Sequence, residues 1–197
     1  ALATFSSPKL QLSQLGATTT IAASAASTDD STAFVAIYVP AGTTITSSQA
    51  AGTELGTVKA QVSALALGGA LLPLEGPIVV APPGAVPPAS QTACIQDQTP
   101  LSTWLLRLSA AGQTINLPAY LIQTGGTDAT FGVAKLVFCL APPDLPVDKG
   151  GATFGAKLLS ATLKVNGVFG PATAGPWLAA WIPWVAGAGT LDTSQFS

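Results

Sequence analysis

The chain has 197 residues, 48% of them hydrophobic and 8% charged, with a formal net charge of -2, where an average soluble domain is about a quarter charged. So little positive charge leaves no footprint for tracking a phosphate backbone or gripping an anionic membrane, which excludes nucleic acid as a partner. There is no His and there are only two Cys, so the usual metal ligands and the commonest general base are missing, and no cofactor or catalytic centre is expected.

The chain holds no Met and begins at Ala1, as a chain does once a signal peptide has been removed after a small-residue site. Residues 9–13 then alternate polar and apolar, and residues 18–25 and 33–39 are rich in Thr, β-branched and aromatic side chains, so three strands are expected there. Asp29 and Asp30, the one adjacent acidic pair, fall in the polar stretch between the second and third. An Asx-type turn fits them better than facing carboxylates, and the spaced acidic pattern of a calcium site is absent. In residues 57–63 every odd position is polar and every even one apolar, which sends Val58, Ala60 and Val62 to a core and Lys59 to water. Residues 63–72 carry the helix formers Ala and Leu, but Gly68 and Gly69 in their middle predict a loop or bent strand.

Residues 81–88 are uncharged and proline-rich, and are expected to be extended. A cut there gives modules of 1–88 and 89–197; a crossover within one larger domain of 1–197 is the competing reading. Cys94 follows in a polar, loop-like stretch. It stands 45 positions before Cys139, without metal or redox spacing, so a structural disulfide is expected, worth about 4 kcal/mol in the chain-entropy account. Trp104 alternates with Leu106 and Leu108 and should be buried, with residues 109–113 turning that strand into the next. Along residues 134–139 the face of Ala134, Leu136 and Phe138 is the better core, so Cys139 points away from it and the bridge ties a loop to the back of a strand. Residues 160–165 alternate again, and Asn166 and Gly167 predict a turn.

Residues 177–185 are apolar on both faces, with Trp177, Ala179 and Trp181 on one and Leu178, Ala180, Ile182 and Trp184 on the other. Mean hydropathy is +0.51 and no charge lies between Lys164 and Asp192, but Pro171, Pro176, Pro183 and the missing basic flank argue against a membrane span. About ten strands and no helix make the chain all-β, an immunoglobulin-like β-sandwich in one large or two tandem modules. The order Cys94, Trp104, Cys139 is similar to the immunoglobulin signature in architecture only. Residues 34–43, 94–104 and 163–169 resemble secreted Ala/Thr/Pro-rich β-sandwich proteins of high-GC bacteria, a resemblance that implies an extracellular address and no reaction.

Catalysis is not expected, since no Gly-x-Ser-x-Gly elbow occurs and each Lys falls on a solvated strand face or in a loop. One face of residues 177–185 must be covered by something besides its own core. Trp177, Leu178, Trp181, Ile182 and Trp184 are therefore the candidate interface, with copies of the same chain as the expected partner, in a surface layer, sheath or filament. The alternative is a cell-surface ligand-binding module. Trp177 and Trp181, about 13 Å apart on one face, would then stack a carbohydrate.

Overall fold

The computed structural model describes residues 5–171 and 175–195. Ten strands, β1 (Lys9–Leu15), β2 (Thr18–Ser24), β3 (Thr32–Val39), β4 (Glu54–Ala64), β5 (Ala70–Val80), β6 (Ser102–Ala110), β7 (Gln113–Gln123), β8 (Ala134–Cys139), β9 (Ala156–Asn166) and β10 (Leu178–Pro183), form one sheet. Their spatial order is β1-β2-β9-β4-β5-β6-β7-β8-β3-β10, and each neighbouring pair is antiparallel. Strand direction therefore alternates through the order, so β1 and β10 run opposite ways, and the sheet curls until it nearly closes into a barrel.

The all-β class is as expected, but a single curled sheet stands where two stacked sheets were expected. Strands of up to 11 residues in a sheet of ten accumulate more twist than an open sheet accommodates, and curling is the relief. The expected boundary at residue 88 falls between β5 and β6, which are hydrogen-bonded neighbours. β9 lies between β2 and β4, and β3 lies between β8 and β10, so strands from either side of that boundary interleave.

The inner face carries the main core. Val58, Val62, Trp104, Leu106, Leu108, Leu136 and Phe138 lie on it, as alternation predicted, while Lys59 is in water. Turns fall at Ala111 and Gly112 between β6 and β7, and at Gly167 after β9. The Gly68 and Gly69 region is the tight turn joining β4 to β5. At the start of β4 a bulge brings Gly56 against β9, where a Cβ would lie 1.8 Å from the Lys164 carbonyl oxygen, so only glycine fits.

One element was not expected. Residues Pro88–Ile95 form a helix, α1, in the stretch read as extended and loop-like. Pro88 supplies a preset φ at the helix start and the seven residues after it contain no Gly or Pro, so the polar run can wind. The helix packs against β8 on the outer face, where Ile95 joins a second cluster with Ala36, Tyr38, Tyr120, Ile122, Val137 and Ala180 from β3, β7, β8 and β10. The Cys94–Cys139 disulfide, with Cα atoms 5.8 Å apart, pins α1 to β8. Cys139 lies on the outer face, as parity required.

Candidate functional site

Antiparallel order defines two barrel ends. At one end lie Leu15, Val39, Val80, Ser102, Asn166 and Leu178; at the other lie Lys9, Thr32, Ala64, Ala70, Cys139, Ala156 and Pro183. The first end is plugged by rings. Trp104 meets Phe169 edge-on at a centroid distance of 6.2 Å, and Phe169 meets Trp177 at 5.3 Å. Trp104 donates its indole N–H to the Ser102 hydroxyl at 3.1 Å, while the Trp177 indole nitrogen is buried without a partner.

Behind the plug, toward the other end, lies a cavity of about 300 Å³, the size at which small-molecule sites begin. Its origin can be read residue by residue. Ala23 on β2 pairs with Ala161 on β9, and Ala161 pairs with Ala60 on β4, so three methyl groups stand side by side across adjacent strands of the inner face. A bulge in β9 follows the row. Gln61 pairs with Ser160 and Val62 with Leu158, so Leu159 is the extra residue, and Ala161 and Leu158 both face inward despite their odd and even numbers. The opposite wall is Leu106, Leu108, Leu117, Phe138 and Trp181. Ser31, Thr32, Asn116, Thr153 and Lys157 border it; the other lining residues are apolar or Cys139.

The mouth is crossed by the connection from β8 to β9, residues 140–155, which contributes Leu140, Ala141, Pro143, Gly151, Ala152 and Thr153 to the lining. This strap is folded on itself, the Ala152 amide donating to the Pro142 carbonyl at 2.8 Å and the Gly151 amide to the Pro146 carbonyl at 2.9 Å. Trp184 anchors its base through an indole N–H to the Leu140 carbonyl at 3.1 Å.

The candidate interface residues are distributed by this geometry. Trp181 is 4% exposed, forms part of the cavity wall and packs on Phe5 at 6.2 Å, closing the seam between β1 and β10 from inside. Trp177 is half-buried in the plug. Ala180, on the other face, is buried in the outer cluster, so this chain covers the centre of that face itself. Leu178 is exposed and Ile182 half-buried at either side of it. Trp177 and Trp181 thus line the barrel interior and form no open platform.

Charged groups lie elsewhere. Lys135, expected in water, is buried on the outer face because the turn at residues 126–130 folds over it: its ammonium pairs with Asp128 at 2.6 Å, and the Tyr38 hydroxyl donates to the same carboxylate at 3.3 Å. Burial first, then the Asp128 charge and that hydrogen bond, push the Tyr38 hydroxyl up to about 12. The pair borders a polar recess of about 320 Å³ with Gln98, Gln123 and Thr124. Asp29 and Asp30 form no carboxylate pair; Asp29 is buried in turn hydrogen bonds. No group of three or more metal-ligating side chains occurs among the described residues. Compared with protein-family models, curated proteins and solved structures, the chain matches none.

Proposed function

We propose that the protein binds a small apolar molecule inside its barrel, as a carrier or receptor and without catalysis. The observation that carries this reading is the apolar cavity beneath the strap, floored by Ala23, Ala60 and Ala161. Leu or Val at those positions would fill the space in the ordinary way of a core, and an unfilled apolar cavity costs stability that an apolar occupant returns. The test is a fluorescence titration with the neutral dye N-phenylnaphthylamine. Binding is expected to saturate at one site, and Ala161→Phe, which fills the cavity from its floor, is expected to weaken it about tenfold or more while the chain stays folded. Absence of saturable binding, or equal binding by folded Ala161→Phe, refutes the reading. An extracellular address belongs to the same proposal, supported by the disulfide.

A second reading, an extracellular assembly subunit built from copies of this chain, draws on a different observation. β1 pairs only with β2 and β10 only with β3, which leaves one edge of each without a ladder partner among the named strands. Molecular mass in solution tests it.

A further inference from the structure

The hairpin of β4 and β5 ends beside the cavity mouth in a turn whose side chains contradict its position. Leu65, Leu67 and Leu71 are 47%, 50% and 58% exposed, and residues 60–74 contain no charged side chain. Isolated exposed leucines are ordinary; three on one turn are a patch. Within the hairpin the nearest charges are Lys59 and Glu75, paired with each other across the strands at 3.8 Å and set about 15 Å back from the turn at strand rise; Lys157 on β9, opposite Ser63, lies closer, but its ammonium is engaged by the Ser27 and Asp29 carbonyls.

We propose that this turn docks on the surface of a neutral phospholipid bilayer, the cavity's ligand being exchanged with the lipid; the exchange, though not the docking, rests on the cavity reading above. Three features choose lipid over a protein partner. Three half-exposed leucines offer a few hundred Å² at most, well short of the roughly 800 Å² per partner that a stable protein interface buries. The turn satisfies backbone groups internally: the Gly68 amide donates to the Leu65 carbonyl at 3.1 Å, the Gly69 amide to the Ala64 carbonyl at 2.9 Å, and the Ser63 hydroxyl to the Gly69 carbonyl at 3.2 Å. Entry into a poorly hydrated layer therefore strands fewer polar groups than an open loop would. The turn is also continuous with the mouth. Gly155, at the end of the strap, would place a Cβ 3.2 Å from the Leu65 Cβ and 2.8 Å from the Pro143 carbonyl oxygen, so the turn and the strap are in contact. A bilayer meeting the leucines would meet the cavity's cover as well.

The experiment is flotation of the full chain with phosphatidylcholine vesicles, set beside its molecular mass without vesicles. The protein is expected to float, to remain monomeric alone, and to float equally at high salt, because no charge attraction is involved. The triple variant Leu65→Ser, Leu67→Ser, Leu71→Ser is expected to lose about tenfold or more of the partitioning while still binding N-phenylnaphthylamine in solution. No flotation, equal flotation by the folded variant, or a dimer that the variant dissolves each overturns the proposal, the last by making the turn a contact between copies. Flotation without dye binding keeps the docking surface and removes the cavity reading, so the two fail separately.

Discussion

Asp29 accepts hydrogen bonds from the Ser6 amide at 2.8 Å, the Ser6 hydroxyl at 2.6 Å and the Ala26 amide at 3.0 Å, tying the segment before β1 to the turn between β2 and β3. Lys157 completes the knot by donating to the Ser27 carbonyl at 2.9 Å and to that of Asp29. Burial works against the Asp29 charge, but the Ser6 and Ala26 hydrogen bonds and the Lys157 ammonium outweigh it and hold the carboxyl below its ordinary value of 3.8. A lowered folded pKa contributes stability that is complete above the unfolded value and lost as pH falls through the folded one. Thermal melts below about pH 3.8 should therefore show Tm falling with pH, and Asp29→Asn should flatten that part of the dependence and lower Tm at neutral pH. A parallel acid dependence in the variant would assign the loss to other carboxylates. The same knot holds Phe5 over Trp181, so a polar pair at the rim fixes an aromatic contact in the seam.

At the scale of elements, α1 is short, with no side-chain cap at its start, and a helix of this length is marginal by itself. Its place over the sheet depends on Ile95 and on the bond from Cys94 to Cys139. Cys94→Ala with Cys139→Ala should cost about 2–4 kcal/mol, read as a lower urea midpoint, by releasing a closed loop of 45 residues. It should also raise amide exchange along α1 more than along β4 and β9. Uniform exchange across the sheet would show that the bridge supports the barrel as a whole. This helix was not legible in the sequence, because its residues are polar on most sides and the preceding prolines read as an extended linker. What orders it is the apolar outer face of β3, β7 and β8, which alternation along one strand does not reveal.

At the scale of the molecule, closure is incomplete at the two outermost strands, and the second functional reading depends on what happens there. Phe5 lies against this chain's own Trp181, so the described part of the first residues folds back on the barrel, and residues 1–4 lie outside the described residues. Leu178 and Ile182 remain on the outer side of β10. If copies associate along this edge, native mass should exceed that of one chain and Ile182→Lys should return it to a monomer with unchanged circular dichroism, because a charge on a half-buried strand face is tolerated in water and not in an interface. A monomer at high concentration in the unmodified protein removes the assembly reading and leaves the cavity unaffected.

Alternation in residues 57–63, 104–108, 134–139 and 160–165 was sufficient to establish strands, their inward faces and the outward direction of Cys139, because a period of two depends only on local backbone geometry. Sequence also isolated Cys94 and Cys139 as a pair, there being no other thiol. It identified residues 177–185 as apolar on both faces, but whether Trp177 and Trp181 faced solvent, a partner or a cavity depended on what lay opposite. The cavity was out of reach for a related reason. Ala23, Ala60 and Ala161 are small residues in three distant segments, and they become a floor only when β9 inserts between β2 and β4 with Ala161 opposite both Ala23 and Ala60. Which strands become neighbours is set by the packing of the whole chain. Single-strand patterns carry face but not partner, and here the site is made of partners.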